Sequence, residues 1–505
     1  MNLTNLKCSK RKRQIEKNYD KNKICERINK KVHLCNQLNE IKDHHIIITR
    51  TKKNQFIEML ASGINYKIID YFIGKNEYAN KCKIFQYLLQ LNHTIYKLFR
   101  KQFLSRSLLS WSQVLKFNEE EKQYVRQLIF DQNIFIQKNS TLNQIIHVGF
   151  DIIFNHSLGS NVLPINLTYL RFGDDYNKSL NSGVLPLGLT CLIFGRCFNQ
   201  VLISGIFPLT LTNLTFGDHY DKLLIQEILP LNLTSLTFGS SFDKPIYPRV
   251  LPISLTSLVF GSDFNQSIEM VLPSNLTNLK FFGRFDQPLG KGKLPSNLKN
   301  LTFGNRFNQL LGKGELPSNL KNLTFGEDFD KLLSQDVLPL ELTSLTFGHY
   351  FHQQLDPGVL PLELTSLTFG HYFNNQLDPG VLPTSLLSLT FGYHFNQPLI
   401  QLSLPPNLTS LIFGSGFNQP IALNVLPKTL TRLDFGMGFN QILVPGTLPK
   451  TLTHVTLSRD YKYKQPLIAL PANLIYQTTL FETHYTSKKY SLLSKTIQKE
   501  LPEND

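Results

Sequence analysis

The chain has 505 residues, of which 42% are hydrophobic and 18% charged, and this composition excludes a disordered polar chain. No stretch reaches the roughly 18 uninterrupted apolar residues of a spanning helix, and no apolar signal region follows the basic amino terminus. We therefore expect a soluble, intracellular, cytoplasmic protein. The net charge of +15 belongs to residues 1–150, which hold 27 Lys+Arg against 12 Asp+Glu.

Residues 1–55 form a basic arm that we expect to be partly disordered or helical. Such an arm can bind nucleic acid or another acidic surface, but a solvated lysine-rich tail has the same composition. The cysteines of the chain make no Cys-x-x-Cys pair and fit no common zinc spacing. We therefore predict free thiols in a reducing compartment, no metal site and no cofactor. The six cysteines are Cys8, Cys25, Cys35, Cys82, Cys191 and Cys197.

Residues 56–140 are predicted to be a small α-helical domain. Apolar side chains recur near helical spacing from Phe56 to Ile73 and again from Ile84 to Phe99, on either side of a polar link over 74–83. Two amphipathic helices can pack their apolar faces together, so this region has the pattern of a small helical unit.

A tandem repeat occupies residues 163–469 and determines the predicted fold. Leu-Pro, once Phe-Pro, opens fourteen units and the start of a fifteenth, and every step is 22 residues except the 21 between Leu251 and Leu272. Residues 141–162 read as a degenerate capping coil, and residues 470–505 as a carboxy-terminal cap and tail. The first residues of the units are Leu163, Leu185, Phe207, Leu229, Leu251, Leu272, Leu294, Leu316, Leu338, Leu360, Leu382, Leu404, Leu426, Leu448 and Leu470.

Residues 404–421 show how one unit is built. Leu411 and Phe413 are two positions apart, so they point to the same face of a short strand. We expect Gly414 to end the strand with a sharp corner at positive φ, and Pro405 to lie on the return path. Each unit is then one coil that cannot fold alone, because it buries too few side chains to offset its own ordering. The prediction is a mainly β solenoid.

The run Leu-Pro-x-x-Leu-Thr-x-Leu-x-Phe-Gly-x-x-Phe-Asn-x-Pro-Ile closely resembles the FNIP repeat family. Phe-Asn-Gln-Pro stands at 395–398 and 417–420, and Phe-Asp-Gln-Pro at 285–288. The resemblance implies a relative of the leucine-rich repeats, from an amoeba or from a giant virus that infects amoebae.

The same family often carries an F-box ahead of its repeats, and residues 88–96 look like the second half of one. The opening Leu-Pro of that motif is replaced by Ala-Ser-Gly-Ile at 61–64. The resemblance implies docking onto the Skp-type adaptor of a cullin ubiquitin ligase, and the alternative is a plain helical cap. The residues that would dock are Ile68, Ile69, Phe72, Leu88, Leu89 and Tyr96.

No dinucleotide fingerprint, P-loop, zinc-protease motif or nucleophile elbow is present, so we predict no enzyme activity. Sequence variation concentrates at the turns, where a partner would be recognised. Three consecutive coils place Tyr350, Tyr372 and Tyr393 there, a candidate binding surface on the array. We predict a protein-interaction protein that recruits a target to a ubiquitin ligase. The alternatives are a structural scaffold and nucleic-acid binding by the basic arm, which the neutral array makes less favourable.

Overall fold

The computed structural model describes residues 108–110, 122–130, 144–458, 460–462 and 475–479. The chain divides into two units, 1–101 and 102–505, and all of the described residues belong to the second. Every secondary-structure element that both begins and ends within the described residues is a β-strand. The strands are β1 Leu108–Ser110, β2 Gln127–Phe130, β3 His147–Phe150, β4 Tyr169–Arg171, β5 Cys191–Ile193, β6 Asn213–Thr215, β7 Ser235–Thr237, β8 Ser257–Phe260, β9 Asn278–Phe281, β10 Asn300–Thr302, β11 Asn322–Thr324, β12 Ser344–Thr346, β13 Ser366–Thr368, β14 Ser388–Thr390, β15 Ser410–Ile412, β16 Arg432–Asp434, β17 His454–Ser458 and β18 Ile475–Thr479.

Each strand pairs in parallel with the next one along the chain, so the eighteen strands form one sheet in chain order. Equivalent residues of successive coils face each other, as Leu345 and Leu367 do. This is the predicted parallel β-solenoid, with one short strand in each coil of about 22 residues. The short step before Leu272 is absorbed between β8 and β9, each of which is extended to four residues.

The sheet begins earlier than the sequence predicts. Strands β1 and β2 lie inside the range 56–140 that was assigned to a helical domain, and β1 pairs with β2, which pairs with β3. The coil at 141–162 therefore continues the sheet at this end and does not cap it. The prediction was wrong here because these first coils lack Leu-Pro and Phe-Gly, and their strands start only 19 and 20 residues apart. Strand β18 likewise extends the sheet into the predicted tail.

The core of every full coil combines leucines with two stacked aromatic columns. Phe391 and Phe395 represent the two columns, and their centroids lie 3.7 Å apart within one coil. Between coils the centroids are 5.3–6.5 Å apart in the first column and 6.0–6.3 Å in the second. Offset stacking of this kind adds about 0.5–1.5 kcal/mol per pair beyond area burial. Burial and stacking thus link each coil to both of its neighbours.

The glycine after each strand is required for close packing, and the predicted positive φ was wrong for Gly414. A Cβ on it would lie 2.0 Å from the carbonyl oxygen of Gly392 in the preceding coil. At ten such positions the distance to the carbonyl oxygen of the equivalent residue one coil earlier is 1.5–2.0 Å. Successive backbones therefore touch where a side chain would stand. Only Gly283 and Gly436 in this row have positive φ, and Gly283 follows Phe282 in the irregular coil.

The left-handed residue of each coil lies instead in the turn two positions before most Leu-Pro pairs. Its φ is between 57° and 88° in fourteen successive coils, and glycine occupies it in half of them. The other coils hold a side chain in this strained region. These residues are Asn161, Glu227, Arg249, Met270, Asp336, Leu402 and Asn424.

Candidate functional site

Six aromatic rings in three consecutive coils form two parallel columns on the turns that follow the strands. We call His349, Tyr350, His371, Tyr372, Tyr393 and His394 the six-ring surface. One column runs His349–His371–Tyr393, with centroids 4.4 and 4.9 Å apart. The other runs Tyr350–Tyr372–His394, with centroids 5.3 and 4.8 Å apart. In both columns the ring planes lie within 15° of parallel.

The structure brings the three predicted tyrosines into this one surface but divides them between the columns. Tyr350 and Tyr372 stack directly, whereas Tyr393 belongs to the histidine column. The reason is the order of the residues: the third coil reads Tyr-His where the first two read His-Tyr. All three tyrosines remain 43–48% exposed, so the surface is open to a partner.

Backbone hydrogen bonds between coils hold the rings at this spacing. The amide of Tyr372 donates to the carbonyl of His349, and that of His394 to the carbonyl of His371. Each turn is therefore fixed against the one before it. The columns are ordered by the backbone as well as by ring contact.

A second ladder of hydrogen bonds links the same coils. Along most of the array, an Asn or Asp after the second core phenylalanine accepts a hydrogen bond from the equivalent amide one coil later, as Asn396 Oδ1 does from Asn418 at 2.8 Å. His352 occupies this position beneath the six-ring surface. Its Nδ1 lies 3.0 Å from Asp330 Oδ2 and 3.1 Å from the carbonyl of Tyr350. An ionisable ring thus links this ladder to the surface.

His371 is the most enclosed ring of the six, and its titration is perturbed. Partial burial, together with the neighbouring rings of His349 and His394, holds the pKa of His371 below its ordinary value. Its Nδ1 is buried and has no hydrogen-bond partner among the described residues. At neutral pH the centre of the surface is therefore an uncharged imidazole.

A separate apolar stripe runs along the first full coils, at the position after Leu-Pro. It consists of five aliphatic side chains that are 60–84% exposed. Serine, lysine or proline stands at the equivalent position of several later coils, so the stripe is not a requirement of the fold. Its members are Ile165, Leu187, Leu209, Leu231 and Ile253.

The described part of the chain contains neither a candidate metal site nor a candidate membrane-spanning helix. Across those residues, no group of three or more His, Cys, Asp and Glu side chains is placed to hold a metal ion. None of the same residues forms a helix with the length and hydropathy of a membrane span. Cys191 and Cys197 are free thiols, and burial raises the pKa of Cys191.

The predicted F-box-like docking residues, from Ile68 to Tyr96, lie outside the described residues. Sequence reasoning singled out the tyrosines of the six-ring surface but gave no part to His352. The signal was available: His352 is the one histidine at a position that is Asn or Asp in nearly every other coil.

A parallel solenoid with one short strand and one buried leucine row per coil defines a leucine-rich-repeat-like protein. The FNIP repeat model matches residues 154–476 in ten segments, some of which overlap, and the chain belongs to this family. No curated protein matches the chain.

Among solved structures, the chain is similar to CroV588, described as a circular leucine-rich repeat protein, at 37% identity and a TM-score of 0.56. The likeness covers 72% of this chain and 61% of CroV588, so the chain spans less than two thirds of that protein's length. YopM from Yersinia enterocolitica is 19% identical with a TM-score of 0.38, over 70% of this chain and 82% of YopM. The matched chain of the Toll–Spätzle complex from Drosophila is 13% identical with a TM-score of 0.44, over 72% of this chain and 50% of that chain.

Proposed function

We propose that the chain is a non-catalytic protein-interaction array whose six-ring surface binds a partner protein. The observation that carries the proposal is the pair of exposed ring columns in three consecutive coils. Exposed aromatic side chains with restricted freedom are good anchors for a partner, because little entropy is lost when they are covered. The stacked rings are already ordered in the free protein. The exposed apolar stripe is a second surface that can contact the same partner.

A comparison of proteins captured by the full-length chain and by ring variants tests this function. Replacing Tyr350 and Tyr372 with serine should abolish capture of the specific partner, because both rings leave one column. The matched control is Tyr247→Ser, which removes a tyrosine that is 53% exposed outside the surface. Capture that survives the double change, with thermal unfolding unaltered, would refute the assignment of the site.

A more specific form of the function is a substrate-recruiting adaptor of a cullin ubiquitin ligase. It is supported by the family's frequent F-box and by the apolar pattern of residues 56–105. In this role the N-terminal region binds a Skp-type adaptor and the array holds the target protein. The proposal places the protein in the cytoplasm, where such ligases act.

Retention of the Skp-type adaptor and cullin by the full chain tests the adaptor role. Ile68→Asp and Leu88→Asp should each remove that retention, since a buried or docked aliphatic side chain cannot be exchanged for a carboxylate. Ile165→Asp is the control, because Ile165 is 68% exposed and lies in the array. No retention by the unchanged chain, where a known F-box protein succeeds, would leave a repeat scaffold as the better account. A steep loss of nucleic-acid affinity with salt would instead favour the basic arm as a nucleic-acid binder.

A further inference from the structure

The ring columns end abruptly at one side. Tyr393 stacks on His371 and His394 stacks on Tyr372, each through one face of its ring. In the next coil the equivalent positions are Ser415 and Gly416, so neither column continues. That coil is directly adjacent, because the amide of Gly416 donates to the carbonyl of Tyr393 at 2.7 Å.

The small residues leave a shelf at the end of the stack. No ring of the described residues stacks on the outer faces of Tyr393 and His394, and Tyr393 is 46% exposed. The coils of the array stand about 4.8 Å apart, which is close to the spacing of stacked planar groups. A planar group placed over Ser415 would therefore extend the column that ends at Tyr393 by one member.

Charge is segregated along the array around this surface. Residues 280–321 hold eight Lys+Arg and two Asp+Glu, whereas residues 327–378 hold eight Asp+Glu and only Lys331. No Asp, Glu, Lys or Arg occurs in residues 379–427. The near-neutral total of the array conceals an acidic segment that covers the coil before the rings and the first two ring coils, whereas the third ring coil carries no charged residue.

Three of these carboxylates already form ion pairs within the array. The side chains of Asp328, Asp336 and Glu341 are already paired with Arg306, Lys313 and Lys321 of neighbouring coils.

Four other carboxylates make no ion pair with any described residue. They are Glu327, Asp356, Glu363 and Asp378, all exposed. Glu327 stands one coil before His349, at the equivalent position of the turn. The amide of Tyr350 donates a hydrogen bond to the backbone carbonyl of Glu327 at 2.8 Å. An incoming cation would therefore meet carboxylates without having to break an existing pair.

We infer that the six-ring surface binds an arginine-bearing segment of its partner, with one guanidinium stacked on the open face of Tyr393 above Ser415, beside the ring of His394, whose plane lies at 77° to that of Tyr393. This inference rests on the proposed function and names the chemistry of the partner. A guanidinium is planar and weakly hydrated, so it stacks on a ring face, whereas the ammonium of lysine is a compact, strongly hydrated charge. The unpaired carboxylates attract the rest of a basic segment.

Two labelled peptides of equal length and charge, one an arginine–glycine repeat and one a lysine–glycine repeat, test the inference against the full-length chain. Binding is followed by fluorescence anisotropy at physiological salt. We expect the arginine peptide to bind about tenfold more tightly, since the stacking contact belongs to it alone. Equal affinity for the two peptides would overturn the stacking and leave only the acidic segment.

Variants at the shelf locate the binding. Ser415→Tyr fills the open face by extending the column, and should remove the preference for arginine. Its matched control is Ser240→Tyr, at the same turn position in a distant coil, which should leave that preference unchanged. If Ser415→Tyr does not fold, Tyr393→Leu removes the ring face and Tyr393→Phe keeps it, so only the first should lose the preference.

The outcomes separate this inference from the proposed function. Capture of the partner that is lost with Tyr350→Ser and Tyr372→Ser, but unaffected by Ser415→Tyr, would refute the arginine assignment and leave the surface as the binding site. Capture unaffected by both changes would refute the proposed function as well. An arginine preference that persists in Ser415→Tyr would place the contact elsewhere on the acidic coils and overturn the inference.

Discussion

Replacing Gly370 with alanine should be among the most destabilising single changes in the array. Gly370 lies two residues after the end of strand β13, and a Cβ there would lie 1.6 Å from the carbonyl oxygen of Gly348. Real Cβ contacts are essentially never closer than 3.0 Å, so the two backbones must separate by about 1.4 Å. The hydrogen bond from the amide of Tyr372 to His349 is 3.0 Å long and cannot survive that movement.

The expected loss in free energy of unfolding follows from these two effects. Overpacking of a tight core costs about 1–3 kcal/mol, and a lost hydrogen bond adds about 0.5–1.5 kcal/mol. We therefore expect Gly370→Ala to cost about 1.5–4.5 kcal/mol, with further weakening of the stack between Phe369 and Phe391. Gly370→Asn should be equally harmful, although asparagine tolerates positive φ, because the cause is close approach and not backbone conformation.

Gly380→Ala is the control in the next turn of the same coil. Gly380 has φ of 86° and no heavy atom within 4 Å of a built Cβ, so only backbone strain opposes the change. Its expected cost is about 1 kcal/mol. Urea unfolding followed by circular dichroism compares the two variants, with the same transition tracked for both because arrays can unfold in parts. The reasoning fails if Gly370→Ala is no more destabilised than Gly380→Ala.

Three other changes test separate parts of the structure. Tyr220→Phe should stabilise the chain by about 1 kcal/mol in the same urea assay, because the buried hydroxyl of Tyr220 has no partner among the described residues. Tyr461→Phe is the control and should not stabilise the chain, because the hydroxyl of Tyr461 donates to a carbonyl at 2.9 Å. Leu402→Gly should raise stability by roughly 0.5–1 kcal/mol by relieving φ of 66°, and an unchanged urea midpoint would contradict this. The pKa of His371 is lowered in the folded chain, so the unfolded chain binds the proton first as pH falls below about 6.5, and this destabilises the fold. The melting temperature should therefore fall between pH 7.5 and pH 5, and it should fall less steeply in His371→Phe.

The sequence by itself determined the repeat, the strand in each coil and the buried face. Leu411 and Phe413 are buried as their spacing of two predicts, and the 21-residue step before Leu272 marks the irregular coil. These features could be predicted because period and alternation are local properties of the chain, copied from coil to coil. The tyrosines of the six-ring surface were found for the same reason, since they recur at one position in successive units.

Contacts between coils were decided only by the tertiary structure. Gly414 looks like a corner residue in a single unit, and only the stacked neighbour shows that a Cβ would meet the carbonyl of Gly392. Strands β1 and β2 carry no repeat motif of their own, and their place in the sheet is shown only by the pairing of β1 with β2 and of β2 with β3. The exchange of Tyr393 and His394 between columns, and the open face above Ser415, likewise depend on which residues lie one coil apart in space. Separation along the chain does not reveal such contacts, because the energy that fixes them arises between adjacent backbones and rings.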